Sequence, residues 1–294
     1  MATGPSGTGP GAPAYAGGRV TVLVLVTVVM LLAAGYLYYR DRTAIPVPSN
    51  VLKPGNDTGL AVVTEPGFSA FVALVGEQEL TVMDFTRPMP LDPPPDGWWH
   101  RRFLTRRAMD LSFGSIGGEQ ALRLATDNSA SMLFRFVEVP LDRYPLLAWR
   151  WLIEDPIESD RDELTRAGDD HPARLFISFL SAANERRALE IIWGNHLQAG
   201  DTKIIGNFPH YVANGGSGNL GEWQNEEVNL LSLYQRFWPD DEGAPVITRI
   251  GLFCDSDETG DDSIAWFSSV RLKQQVEGPG SNFSRFPGNL PISQ

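Results

Sequence analysis

Short apolar runs that alternate with polar residues recur through the middle of the chain, and they constrain its fold more than any other feature. In an extended Leu146–Ile153, Leu147, Trp149, Trp151 and Ile153 share one face. In Ser263–Leu272, Ile264, Trp266, Val270 and Leu272 share one face, with Ser268 interrupting. Period two is the repeat of a half-buried strand, because successive side chains point to opposite faces. Leu80–Phe85, Ala121–Thr126, Met132–Val139, Ala173–Leu180, Ala188–Trp193, Lys203–Phe208 and Thr248–Cys254 read the same way, with turn clusters between them. Such a series implies an all-β, antiparallel sandwich. Only Asn229–Trp238 has helical spacing: Leu230, Leu233, Tyr234 and Phe237 fall on one face, and Pro239 ends the segment.

Ahead of this body lies a run without a charged residue, Val20–Tyr39, closed by Arg19 on one side and Arg40 and Arg42 on the other. Twenty residues of helix reach roughly 30 Å, the thickness of a hydrocarbon core. The reading adopted is a single transmembrane anchor over 19–40, retained rather than cleaved, although Ala33-Ala34-Gly35 offers the small residues a signal peptidase uses. The flanking charges leave its orientation undecided. Residues 1–18, rich in Gly, Pro, Ala, Ser and Thr, are expected to be a disordered head; 41–67, with Pro46, Pro48, Pro54 and Pro66, a semi-extended linker; 68–273 the sandwich; and 274–294 a disordered tail.

The net charge is −12; the first 42 residues hold Arg19, Arg40, Arg42 and Asp41, net +2, so the rest carries −14. That balance excludes the basic footprint of a nucleic-acid binder and disfavours lying flat on anionic lipid. A single cysteine, Cys254, excludes an internal disulfide and any cysteine-built zinc or iron–sulfur site; within Ile250–Cys254 it reads as a small buried hydrophobe.

The sharpest local pattern is Ile250–Gly260, an apolar strand running into Asp255-x-Asp257-x-Thr259-Gly260. A phosphotransferase loop would need a parallel α/β domain after it, and only 34 residues follow Gly260. The aspartates match the first positions of an EF-hand loop, but position 12 is Trp266 rather than Glu. A structural turn remains the bland reading, and a hard-cation site on Asp255, Asp257 and Asp261 the sharper one, with Ca2+ the ion this oxygen set suits. In Gly168-Asp169-Asp170-His171-Pro172, two carboxylates and a histidine precede a strand; the bland reading is a strand-entry turn in which Arg174 pairs with Asp169 or Asp170. All eight tryptophans lie in the body; Trp149, Trp151 and Trp266 read as core, while Trp98, Trp99 and Trp223 follow loops and are better placed to stack on a ligand. Gly216–Gly221 matches G-x-G-x-x-G without the helix that motif requires, and reads as a hairpin loop.

Leu147-Ala-Trp-Arg-Trp151, Gly168-Asp-Asp-His-Pro-Ala-Arg174, Glu190-Ile-Ile-Trp193, Gly221-Glu-Trp223 with Glu227–Tyr234, and Asp255-x-Asp-x-Thr-Gly260 occur in this order over 68–273. Together they resemble the DUF3047 family of bacterial domains; His171 departs from the family pattern. The resemblance implies a galactose-binding-like, jelly-roll-like sandwich and, because members commonly carry export signals, a periplasmic or other extracytoplasmic body. It supplies no activity. The expectation is therefore a membrane-anchored, non-catalytic ligand- or carbohydrate-binding module, with Trp98, Trp99, Asp169, Asp170, Arg174 and Trp223 in ligand contact. The alternatives are a carboxylate-dependent hydrolase of envelope polysaccharide, or an accessory subunit docking on a membrane protein.

Overall fold

The structure, a computed structural model, describes residues 78–275 throughout and, ahead of them, 1, 28–30, 32, 48, 50–54, 61–62 and 72–73. The chain divides into two units, Met1–Pro46 and Val47–Gln294. The expected anchor, 19–40, lies outside the described residues apart from 28–30 and 32, which are helical. No helix among the described residues is long and apolar enough to cross a membrane. The expected head and tail also fall almost wholly outside the described residues.

The second unit is an all-β sandwich. β1 (Ala61–Val62) and β2 (Val72–Ala73) pair with each other. One sheet of seven strands runs in the order β11 (Thr202–Ile205), β12 (Phe208–Gly215), β10 (Arg186–Gly194), β9 (Arg174–Leu180), β14 (Val246–Phe253), β7 (Ser131–Pro140) and β4 (Trp98–Arg102). The other runs β13 (Gln224–Asn229), β8 (Leu146–Asp155), β15 (Asp262–Lys273), β6 (Glu119–Asp127) and β5 (Asp110–Ile116), with β3 (Glu79–Asp84) along the second half of β15. All these pairings are antiparallel except β10 with β12, whose connection passes through the edge strand β11.

The core lies between the sheets, as the tryptophan pattern of β8 requires. Trp149, Trp151 and Trp193 are each at most 1 % exposed, and the Trp151 ring centroid lies 5.2 Å from Trp149, 5.7 Å from Trp193 and 6.0 Å from Phe267. Rings at these separations and steep angles pack edge to face, the favoured arrangement of aromatic quadrupoles. Cys254 is fully buried, as expected. α1 (Leu230–Phe237) starts where Asn229 accepts a hydrogen bond from the Ser232 amide, and buries Leu230, Leu233 and Tyr234.

β15 departs from the single-face reading. Its register against β8 shifts between Phe267 and Ser269, a bulge at the Ser268 interruption. A bulge adds one residue and so reverses the facing of every later side chain on the strand. Phe267, Val270 and Leu272 therefore oppose Trp151, Trp149 and Leu147 on the core side, while Trp266 opposes Leu152 on the outer face. There Trp266, Leu152 and Ala121 form a satellite cluster with Ile116, Trp223 and Ile264. Lys203–Phe208, read as one strand, is instead a hairpin turning at Gly206-Asn207, with Gly206 at φ +61°. Leu52, within the expected linker, is 3 % exposed and exchanges backbone hydrogen bonds with Phe136 and Glu138, continuing the sheet edge beyond β4.

Candidate functional site

Antiparallel pairing brings the start of β9, the end of β14 and the end of β10 to one end of the seven-stranded sheet, with Arg174 opposite both Phe253 and Ile192. Two loops therefore meet there: Asp169–His171, entering β9, and Asp255–Gly260, leaving β14. Gly168 permits the approach, because a Cβ at that position would stand 2.4 Å from the Asp162 carbonyl oxygen.

Asp170 is fully buried and fastens the loops together. Its carboxylate accepts from the Thr259 amide (2.5 Å), the Thr259 hydroxyl (2.6 Å) and the Glu258 amide (3.4 Å). Carboxylate oxygens of Asp170, Asp255, Asp257 and Glu258 lie within 4.8 Å of one another. Two oxygens that each sit about 2.4 Å from a hard cation can be no farther apart than this, so the four could share one ion. Burial, the hydrogen bond to Asp170 and the charge of Asp257 push the Glu258 carboxyl up to about 8. Asp257 is held from the rim by Arg106 at 2.7 Å. Of the expected cation ligands, Asp255 and Asp257 are thus brought together, and Asp261 is not part of the group; one of its oxygens accepts from the Glu158 amide at 2.7 Å.

Behind these carboxylates lies a second, closed network. Arg174, 2 % exposed, donates Nε–H to Asp255 (2.8 Å), one Nη–H to Glu190 (2.8 Å) and another to the Asp169 carbonyl. Burial opposes its charge, but Asp255, Asp169 and Glu190 raise its pKa above the ordinary guanidinium value. Burial pushes the Asp255 carboxyl up against the pull of Arg174. Glu190 is likewise opposed by burial, yet Arg174 and His210 bring it down to about 2. The Lys203 ammonium uses all three protons, on the Glu163 carbonyl (2.7 Å), Asp169 Oδ1 (2.7 Å) and His171 Nε2 (2.9 Å). His171 must then donate from Nδ1, which faces the Trp193 carbonyl at 3.0 Å. Burial and the nearby Arg174 hold this imidazole neutral, with a pKa well below the ordinary value. Glu163 closes the assembly by accepting from the amides of Asn195, His196 and Leu197 at 2.6–2.8 Å. These charges are consumed by one another, and they fix the segment between β8 and β9 across this end of the sheet.

The same sheet face continues beyond that cover. Directly opposed residues of neighbouring strands point to one side. Trp99 opposes Phe134, Phe134 opposes Gly251, Gly251 opposes Phe176, Phe176 opposes Glu190, Glu190 opposes His210, and His210 opposes Lys203. One row therefore crosses all seven strands, aromatic at the β4 end and charged at the β11 end. Trp99 and Phe176 are half-buried, and Met132 and Phe134 lean over Gly251, where a Cβ would meet their atoms at 3.0 Å.

The sequence-derived ligand set is thus dispersed. Asp169, Asp170 and Arg174 are inside the closed network. Trp98 faces the core, 9 % exposed, 6.0 Å from Phe85 and beneath the Arg135 guanidinium. Trp99 is on the outer face of the seven-stranded sheet. Trp223 belongs to the satellite cluster on the other sheet, 4.9 Å below the Arg150 guanidinium. Glu163, Glu190, Lys203 and His210 escaped sequence reasoning; Glu190 and Lys203 carried a signal, a charge among the apolar residues of short strands. A cleft of about 700 Å³ between the 156–160 and 194–198 segments is lined by Glu158, Asp160, Trp193 and His196.

The model of a family described as "Protein of unknown function (DUF3047)" matches residues 96–271, more than half of the chain. None of the curated protein sequences compared with it matches. Among solved structures, it is similar to the family 30 carbohydrate-binding module of a Clostridium thermocellum cellulosomal cellulase (TM-score 0.38, 9 % identity, 67 % of this chain and 98 % of that one). It is also similar to the xyloglucanase domain of NopAA from Sinorhizobium fredii (0.37, 10 %, 61 % and 94 %) and to endoglucanase 3 of Trichoderma harzianum, from family GH12 (0.34, 9 %, 61 % and 91 %).

Proposed function

This chain belongs to the DUF3047 family, and we propose that its sandwich is a non-catalytic carbohydrate-binding module, jelly-roll-like in type, held outside the cytoplasm by an N-terminal anchor at 19–40. The observation that carries the binding role is the row from Trp99 to Phe176 on a half-open sheet face, against the closed network beside it. Flat aromatic rings that keep partial exposure on a sheet suit the apolar faces of sugar rings. The buried Asp, Glu, His and Lys groups are each committed to an internal partner, which suits a structural role better than proton transfer to a substrate. The anchor rests on the apolar length and flanking arginines of the sequence alone.

The test is retention of the purified full chain, in detergent, on insoluble cellulose, chitin, peptidoglycan and gelled polyuronate. Retention on one of them that Trp99→Ala abolishes, at an unchanged melting temperature, is the expected result. Retention on none removes the reading.

Within the same reading, Asp170, Asp255, Asp257 and Glu258 are a divalent-cation site that would brace the loops leaving β14 and entering β9. Their oxygen-only donor set favours calcium over a transition metal. A ligand at a hundred times its Kd adds about 2.7 kcal/mol, which for a domain of this size is roughly 5–10 °C in melting temperature. Equal melting in calcium and in EDTA would leave the loop a turn braced by Asp170 alone.

A further inference from the structure

On the half-open part of the seven-stranded sheet, Glu138 of β7 is paired with Lys53, and the charged side chains left without an ion pair among the described residues are arginines. Arg249 is half-buried on β14; its Nε–H donates to Ser178 Oγ at 3.0 Å and its guanidinium lies 5.7 Å from the Phe134 ring centroid. Arg101, on β4 opposite Met132, and Arg186, on β10 opposite Leu180, are exposed on the same face. Some arginines elsewhere in the sandwich have carboxylate partners, as Arg102 with Asp92, Arg150 with Glu119, Arg187 with Asp241 and Arg271 with Glu79, whereas others, such as Arg143 and Arg236, also form no ion pair among the described residues. Arg101, Arg186 and Arg249 form no ion pair among the described residues. The carboxylate on this face of β10, Glu190, is turned to Arg174 and His210.

This is an odd arrangement for a body that carries a large excess of acid. After burial, the charges that act on Arg249 are those of Arg101 and Arg186, and all three lower its pKa. A partly desolvated cation facing other cations is disfavoured until an anion arrives. The guanidinium fork matches a carboxylate with two parallel hydrogen bonds.

We propose that the outer face of β4, β7, β14, β9 and β10 binds an acidic polysaccharide, with Arg249 at the centre of the site, Arg101 and Arg186 at its two ends, and Trp99, Phe136 and Phe176 beneath the sugar rings. The inference rests on the carbohydrate-binding reading and adds the class of glycan. Arg101 and Arg186 stand four strand spacings apart, about 19 Å across the sheet at the usual interstrand distance. They are farther apart than that, because Arg101 lies beside Met132, next to the Leu133–Leu252 pair, while Arg186 lies opposite Leu180, which pairs with Val246 six residues back along β14. That separation suits an extended chain with repeated carboxylates rather than one small anion. Nucleic acid offers the same pairing of charge and rings, and the acidic body would repel either polyanion away from this face, so the two are separated by titration with each.

The experiment is affinity electrophoresis and calorimetric titration of the full chain in detergent with polygalacturonate, neutral xyloglucan and an oligothymidylate. Polygalacturonate is expected to bind tightest, with an affinity that falls as salt is raised. Arg249→Met should weaken it roughly tenfold or more, the effect of losing a charge-assisted pair. Because Arg249 also covers Phe134, the exposed double variant R101Q/R186Q is the second arm; it should weaken binding with no loss of melting temperature. Equal binding of xyloglucan, unaffected by either variant, would overturn the charge inference and leave the carbohydrate reading standing. Binding of the oligothymidylate alone would overturn the inference, and binding of no glycan would overturn both.

Discussion

The two ends of one sheet face treat the same kinds of side chain in opposite ways. At the β9–β10–β12–β11 end, Arg174, Glu190, His210 and Lys203 are roofed by the segment between β8 and β9, and nearly every donor and acceptor is used. At the β4–β7–β14 end Trp99 and Phe136 keep partial exposure, and Arg249 and Arg101 form no ion pair among the described residues. The strands are paired without a break between the two, with register shifts at Ile247–Arg249 and Ile192–Trp193. Coverage by a loop thus decides whether a charged residue on a sheet becomes internal structure or remains free to meet a ligand.

Variants can break this contrast. Arg174→Met should have the largest effect. It strands Asp255, Glu190 and Asp169 inside the closed end, at about 3–5 kcal/mol, measured as a drop in the urea midpoint. Arg174→Lys should recover little, since one ammonium cannot reproduce three donor directions. A loss under about 1 kcal/mol in the methionine variant would mean that the roofed end is not a closed electrostatic unit.

Asp170→Asn should come next, at about 1.5–3 kcal/mol, because the Thr259 amide and hydroxyl lose a charged acceptor. The same variant should also remove any melting shift given by calcium. A shift that survives would move the ion elsewhere.

Glu258 gives the closed end a pH signature. Its carboxyl is raised from 4.5 to about 8 in the folded state. Between those values the native state holds a proton that the unfolded chain has released, so stability falls as pH rises through this window. In EDTA, melting temperature should decline from about pH 5 to about pH 8, and Glu258→Gln should flatten the decline. An unchanged slope in the variant would show that other groups set it.

Smaller still, Trp223→Ala should cost on the order of 1 kcal/mol by releasing Arg150 and opening the satellite cluster, with glycan retention intact. A loss of retention in that variant would place the ligand on the six-stranded sheet instead and dissolve the contrast between the two ends.

Much of the fold was legible in single strands. The alternation of β8 placed Leu147, Trp149, Trp151 and Ile153 in the core, and the spacing of Leu230, Leu233 and Tyr234 marked the α-helix Leu230–Phe237. β13 was not read as a strand, because Gln-Asn-Glu-Glu-Val-Asn has no apolar period; its pairing with β8 comes from the neighbour's unfilled backbone groups. The candidate site was legible only in pieces. Asp169, Asp170, Arg174, Asp255 and Asp257 stand out locally, and of the two partners that the turn reading allows Arg174, Asp169 and Asp170, it is Asp169 that lies 3.6 Å away, but Glu163, Glu190, Lys203, His210 and Glu258 join them only through loops and register.

By itself, the sequence determined the sandwich class, the tryptophan core, the buried Cys254 and the family to which the chain belongs, because each depends on nearest-neighbour periodicity or on an ordered set of local motifs. Tertiary structure alone decided the reversal of faces at Ser268, the neutral state of His171, the gathering of four carboxylates across two loops, and the division of one sheet face into closed and open halves. Those depend on distances between residues far apart in the chain, which no local pattern encodes.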